Sequence, residues 1–321
     1  MRAILKNTNK YTSIKLASGI NLDNTKTTTK QTNSRYHHYK GISSGLYYNK
    51  WFNLKKGKAI FKTFETQEQT KNTRIVNELI CQELAKQVGL SCAEYELANL
   101  DGETGLVSYN VAKNNKKLIN GVELCFYAGL KYCNNCIYEY KEAAKIFAQK
   151  NSDVNVRQIV LDLYKIAVFD CLTMQTDRHD KNLFFITDSK HNLKVAPLID
   201  NELAFKGNML YYYTILKSIS KENIMDIELE CDNVLYIKEQ NSMSYANYVK
   251  EVVSFAKKNK AAKEVLDFYL TNLNIKKAIE SVENKGVEIN DGYKEYLVKL
   301  FNLAKSEMKN NILELDNLNG K

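Results

Sequence analysis

Asp177-Arg178-His179-Asp180-Lys181-Asn182-Leu183-Phe184-Phe185-Ile186, followed eighteen residues after Asn182 by Asp200, is the stretch on which the reading of this chain turns. It sets a carboxylate, an amide and a second carboxylate in a helix–loop–strand context. Residues 156–167 have the apolar spacing of a buried helix, with Ser152 or Asp153 as N-cap, and that helix runs into the Asp177 loop. Residues 183–186 read as a buried strand, and a second apolar run over 193–199 delivers Asp200 at its end. Phosphoryl transfer requires this assortment: one acceptor beside the attacking hydroxyl, and two oxygen ligands that hold Mg2+ against a triphosphate. Asp177 is the candidate that accepts or orients the hydroxyl proton. Asn182 offers the metal a neutral oxygen and Asp200 an anionic one.

The neighbours of these residues allow more than one role. His179 is placed to donate to the phosphates, to serve as the base itself, or to order the loop through a hydrogen bond. Asp180 reads as a surface carboxylate, and Lys181 either as a contact to the transferred phosphate or as a solvated lysine. Upstream, Ala59-Ile60-Phe61-Lys62 is similar to the Val-Ala-Ile-Lys strand of protein kinases, where a lysine neutralises the α- and β-phosphates. Lys58 shares the face of Lys62 by alternation and competes with it. Glu78, on the next helix, is placed to hold such a lysine. Gly41-Ile42-Ser43-Ser44-Gly45 precedes this strand region. Its glycines permit close backbone approach, and its amides with the Ser43 and Ser44 hydroxyls suit phosphate oxygens, although the Walker pattern is absent.

Around these residues the chain divides into three parts. Residues 1–34 are rich in Thr, Asn and Lys, bury little, and read as a flexible arm with a short strand at 12–16; globular structure is expected from Tyr36. Residues 46–54 and 59–64 read as a hairpin turning at Lys55-Lys56-Gly57. Residues 73–88 follow as a helix capped by Gly89, then 95–98 and 105–111 as strands joined at Asp101-Gly102. Residues 35–112 thus form a small β-rich N-terminal lobe with one long helix. From residue 117 the pattern turns helical, with examples at 248–256, 262–273 and 293–308, so residues 113–321 form a larger, mainly helical C-terminal lobe. The fold class is α+β.

Composition narrows the alternatives. The chain has 321 residues and 44% hydrophobic content, enough for a large core, yet no window approaches the roughly 18 apolar residues of a transmembrane helix. The first residues lack the apolar segment of a secretory signal, so the default location is cytoplasmic. The seven cysteines are an odd, scattered set, which fits a reducing compartment. Cys81 and Cys171 read as buried thiols. Cys133-Asn134-Asn135-Cys136 lacks the second pair that a zinc site would use, so it reads as structural. The net charge of +9 is spread over short lysine runs, without the concentrated stripe or module of a nucleic-acid binder.

The motif Asp177-x-His179-x-Lys181-Asn182 with its apolar strand resembles the catalytic loop of HipA-like serine/threonine kinases. Residues 77–90 look like the N-lobe helix of that family, and the likeness spans roughly residues 41–205. The resemblance implies a two-lobed fold related to protein kinases and phosphoinositide kinases, with ATP between the lobes. It implies Asp177 as catalytic residue, Asn182 and Asp200 as magnesium ligands, Lys62 as phosphate lysine, and Val107, Ser108 and Tyr109 as the adenine-binding hinge. The chain departs from the kinase pattern in carrying Asn201-Glu202 after the metal carboxylate in place of Phe-Gly. Its short N-terminal part is not expected to form the subdomain that contacts antitoxin or DNA. The leading expectation is an ATP- and Mg2+-dependent kinase acting on protein Ser/Thr hydroxyls and on itself, with Ser43 or Ser44 as acceptor. A phosphoinositide-type lipid kinase shares the Asp-Arg-His-x-x-Asn motif, but residues 201–210 offer Lys206 alone as a cation for an anionic lipid. The third reading is a non-catalytic nucleotide-binding module.

Overall fold

The computed structural model describes residues 15–16, 20–22, 50–63, 68–112, 116–131, 133–206, 234–238 and 244–319. Two short strands come first, β1 (Lys15–Leu16) and β2 (Ile20–Leu22). The aromatic hairpin follows as β3 (Lys50–Leu54) and β4 (Gly57–Lys62), turning at Lys55 and Lys56. The long helix α1 (Glu68–Gln87) starts at Glu68 rather than Thr73, because its first turn is polar and extends no apolar stripe. It closes in a Schellman arrangement. Gly89 takes the left-handed conformation (φ 64), Leu90 N–H bonds Ala85 O at 2.9 Å, and Gly89 N–H bonds Lys86 O at 3.3 Å. Strands β5 (Tyr95–Leu100) and β6 (Glu103–Tyr109) are joined by Asp101 and Gly102, both at positive φ (53 and 85), the two-residue turn whose twist suits a hairpin.

These strands form one sheet in the order β2-β5-β6-β4-β3, antiparallel except where β2 runs parallel to β5. The sheet therefore begins at Ile20, ahead of Tyr36, where the sequence pattern placed the start of globular structure. The remainder of residues 1–34 and the 41–45 loop with Ser43 and Ser44 lie outside the described residues. Pleating separates the two faces of the sheet. Tyr95, Leu97 and Leu106 pack with Ile75, Leu79 and Leu84 of α1 in the main core. Phe52, Ala59, Phe61, Ala98, Leu100, Val107 and Tyr109 form a second apolar cluster on the opposite face.

The C-terminal half opens with a strand, not a helix. β7 (Lys117–Asn120) is too short, behind its lysines, to display alternation in the sequence. Asn120 then caps α2 (Gly121–Tyr127) in a capping box with Glu123. α3 (Ile137–Lys150) and α4 (Val156–Thr173) follow. The α4 N-cap is Asn155, which accepts from Gln158 N–H at 3.0 Å, instead of Ser152 or Asp153. β8 (Phe184–Thr187) and β9 (Leu193–Val195) complete an antiparallel sheet in the order β7-β8-β9.

A 3-10 turn at Ala204–Lys206 leads on to α5 (Tyr245–Lys257), α6 (Lys260–Asn272), α7 (Ile275–Glu283), β10 (Val287–Glu288) and α8 (Asp291–Asn319). β1 pairs antiparallel with β10, so the N-terminal segment reaches the C-terminal half. α7 packs along α1 through polar bonds. Gln87 donates to Asn274 O at 3.0 Å and accepts from Asn274 N–H at 2.7 Å, while Glu83 accepts from Lys285 Nζ at 2.6 Å and Ser281 Oγ at 2.7 Å. Among the described residues no helix is long and apolar enough to cross a membrane.

Candidate active site

Lys62 closes β4 opposite Leu106, on the face that meets α1. Its ammonium is buried against three carboxylates: Glu78 Oε1 at 2.8 Å, Glu202 Oε2 at 2.7 Å, and Asp200. Lys58, its rival on the strand, is exposed, so depth separates the two lysines. Burial works against the Lys62 charge, but Asp200, Glu202 and Glu78 together outweigh it and hold the lysine above its ordinary range. Burial opposes the Asp200 charge as well, and the adjacent Lys62 overcomes it, holding Asp200 below the usual carboxylate range. Glu202 goes the other way. Burial, only partly offset by Lys62, pushes it up to about 7. Arg74 Nη1 donates to the second Glu202 oxygen at 3.0 Å, and Glu78 Oε2 accepts from Asn201 N–H at 2.8 Å. Oxygens of Glu78, Asp200 and Glu202 lie within 4.8 Å of one another, a donor set suited to a hard divalent cation.

The second group of residues sits where α4 ends. Met174 takes the left-handed conformation (φ 47), and Gln175 N–H returns to Asp170 O at 2.9 Å. The Gln175 side chain spans two backbones, accepting from Asp177 N–H at 3.1 Å and donating to Asp200 O at 3.4 Å. Asn182 Nδ2 donates to Asp177 O at 2.9 Å and to Asp177 Oδ2 at 3.0 Å, which leaves the amide oxygen, the atom a metal would take, outside that contact. Burial raises Asp177 above the usual carboxylate range, with His179 opposing. His179 Nδ1 accepts from Lys181 N–H at 3.0 Å, and Nε2 stands 3.6 Å from Asp177 Oδ1. The ring thereby orders the loop and, when neutral, carries its proton on Nε2, toward Asp177.

Arg178 is buried beneath this loop. It pairs with Asp170, and Nη1 donates to Ile199 O at 2.8 Å and to Asn182 O at 3.3 Å, while Nη2 donates to Asn201 Oδ1 at 2.5 Å. One guanidinium thus grips both the Asp177–Asn182 loop and the strand end that carries Asp200. Three left-handed residues (Met174, Asp200 at φ 63 and Phe205 at φ 54) flank the same region, the kind of backbone strain that clusters at functional sites.

The structure brings Lys62, Glu78 and Asp200 into direct contact, and likewise Asp177, His179 and Asn182, with Gln175 and Arg178 linking the two sets. Of the hinge candidates, Ser108 lies opposite Ile60 and Tyr95 on the Lys62 face. Val107 and Tyr109 point to the other face, where Tyr109 Oη donates to Glu96 Oε2 at 3.0 Å, so only their backbones adjoin the Lys62 side. Ser43 and Ser44 lie outside the described residues. Sequence reasoning gave no role to Glu202, Gln175, Asn201, Tyr95 or the Asp170–Arg178 pair. The signal for Glu202 was its place two residues after Asp200. Tyr95 shows itself only in the fold, where its hydroxyl accepts from Asp200 N–H at 3.2 Å.

The sequence matches the family model of the HipA-like C-terminal domain over residues 25–267. No curated protein matches it. Among solved structures it is similar to that of CtkA, a proinflammatory kinase of Helicobacter pylori, at 14% identity and a TM-score of 0.66, over 84% of this chain and 94% of that one. It is also similar to a toxin–antitoxin complex of HipA, HipB and operator DNA from Shewanella oneidensis MR-1, at 14% identity and a TM-score of 0.47, over 78% and 58% of the two chains. The α+β architecture seen here, with sheets toward the N-terminus and helices toward the C-terminus, is the fold of the CtkA structure.

Proposed function

The chain belongs to the HipA-like C-terminal domain family, a kinase family, and from that premise we propose that it is an ATP- and Mg2+-dependent protein serine/threonine kinase that also phosphorylates itself. The observation that carries this reading is the meeting of Lys62, from the N-terminal sheet, with Asp200, from the C-terminal half, beside a loop in which Asn182 holds Asp177.

In this reading Lys62 binds the phosphates of ATP and Glu78 keeps its ammonium in place. Asn182 and Asp200 would hold Mg2+, with Glu78 and Glu202 in the oxygen cluster of Asp200. When bound, Mg2+ supplies neutralisation of the charge on the phosphates. Asp177 orients the acceptor hydroxyl and takes its proton as the γ-phosphoryl passes to the oxygen. The raised affinity of Asp177 for a proton brings it nearer the range in which a general base works at neutral pH. His179 keeps the loop in register through Lys181 N–H. The backbone of residues 107–109 is the proposed edge for adenine, and Ser43 or Ser44 the proposed site of self-phosphorylation.

The test is incubation of the purified chain with γ-labelled ATP and Mg2+, with casein or myelin basic protein in one arm and phosphoinositide vesicles in the other. The expected result is label on protein, including the chain itself, and none on lipid, lost when Mg2+ is chelated. Label on lipid alone would establish the phosphoinositide-kinase reading instead. Nucleotide binding without transfer in either arm would leave a binding module.

A further inference from the structure

Away from this site, α2, the loop that follows it and the first turn of α3 bring Cys125, Cys133 and Glu139 together, with their two sulfurs and a carboxylate oxygen all within 4.8 Å of one another. The sequence advertises Cys133 and Cys136 as a pair, but the fold recruits Cys125 instead, and Cys136 is not in the set. We propose that Cys125, Cys133 and Glu139 form a binding site for a divalent transition-metal cation of the zinc type. Two thiolates and a carboxylate make a three-ligand set that leaves the fourth tetrahedral position to water, and their softness disfavours Mg2+ or Ca2+.

The ligands are already oriented. Asn134 donates through its backbone N–H to one Glu139 oxygen at 2.6 Å and through its side-chain amide to the other at 2.8 Å, outer contacts of the kind that aim a ligating carboxylate. Binding forms two metal–sulfur bonds and one metal–oxygen bond and releases the thiol protons to solvent.

The position gives the site a purpose. Asn135, two residues after Cys133, donates to Arg178 O at 2.6 Å and to Val234 O at 2.8 Å, and Tyr140, next to Glu139, donates to Asn135 Oδ1 at 2.8 Å. A cation held by Cys133 and Glu139 therefore braces the segment that supports the Arg178 backbone.

The test titrates the reduced full chain with Co2+, a spectroscopic stand-in for Zn2+. The expected result is sulfur-to-cobalt charge-transfer absorption that saturates at one ion per chain and disappears when Zn2+ is added. Cys125→Ser and Cys133→Ser should each remove most of that absorption, Cys136→Ala should retain it, and Glu139→Gln should weaken affinity on the order of tenfold or more. Circular dichroism separates loss of the site from loss of the fold. If a serine variant does not fold, Glu139→Gln, which preserves shape, decides. No thiolate absorption in the wild-type chain, a full signal in a folded Cys133→Ser variant, or unchanged affinity in Glu139→Gln would each overturn the proposal. None of these readouts depends on phosphoryl transfer.

Discussion

Asp170 and Arg178, eight residues apart, form a fully buried pair in which Nε meets Oδ2 at 3.1 Å and Nη2 meets Oδ1 at 3.3 Å. Asp170 lies in the last turn of α4, so the pair roots the following loop in the helix. The rest of the guanidinium is shared among the carbonyls of Asn182 and Ile199 and the side-chain oxygen of Asn201. Neither partner reaches solvent, and removing one leaves the other charge stranded.

Asp170→Asn is accordingly expected to destabilise the chain by about 3–5 kcal/mol. Urea unfolding of the two proteins measures this. A loss under about 1 kcal/mol, the worth of a surface pair, would show that Arg178 finds compensation elsewhere.

Asp177→Ala should lower phosphate transfer by ~10²-fold or more, the usual contribution of a positioned base, and leave nucleotide binding nearly unchanged. Single-turnover kinetics beside a binding titration separates the two effects. A near-wild-type rate would remove Asp177 from the reaction.

Glu202 gives a pH dependence with a definite sign. Its native pKa of about 7 stands above the ordinary 4.5, so the folded chain holds a proton that the unfolded chain has released. Its contribution to stability is full below about pH 4.5 and is lost as pH rises through about 7. Gln cannot ionise, so the thermal midpoint of Glu202→Gln should gain on that of the wild type across this window and hold its advantage above it. A difference that stays constant from acid to neutral pH would refute the assignment.

Gly121→Ala tests the contact between α2 and the loop. A Cβ there would stand 2.2 Å from Tyr140 Oη and 2.9 Å from Asp180 O, while Gly121 N–H donates to that same carbonyl at 2.7 Å. The expected loss is about 1–3 kcal/mol, as for other overpacked sites, with a slower transfer rate because Asp180 lies inside the 177–182 loop. Unfolding and rate are measured on the same preparation, and an unchanged midpoint would mean that Tyr140 moves aside freely.

What could be read from the sequence was whatever local spacing controls. Asp177 and Asn182 meet within one loop, so their interval alone predicts the contact. Asp101-Gly102 announces its hairpin through the turn chemistry of its two residues, and the α1 core stripe shows in its period. What could not be read depends on chain reversals that no pattern encodes. Glu202 meets Lys62 just past Asp200, whose left-handed backbone that residue type does not require. Cys125 meets Cys133 across a reversal at Gly129 (φ 74), where the sequence shows only Cys133 and Cys136 at a familiar interval. Lys58 and Lys62 were indistinguishable by alternation, and depth in the sheet is what separates them.

The seam between α1 and α7 bears on how such a molecule is governed. Two-lobed phosphotransferases are commonly throttled by rocking the carboxylate-bearing helix away from its lysine. Here Gln87 and Glu83 stitch that helix to Asn274, Ser281 and Lys285 at its far end. Swinging it outward would first break these four bonds, so the same contacts that tie α1 to the C-terminal half also oppose withdrawal of Glu78 from Lys62.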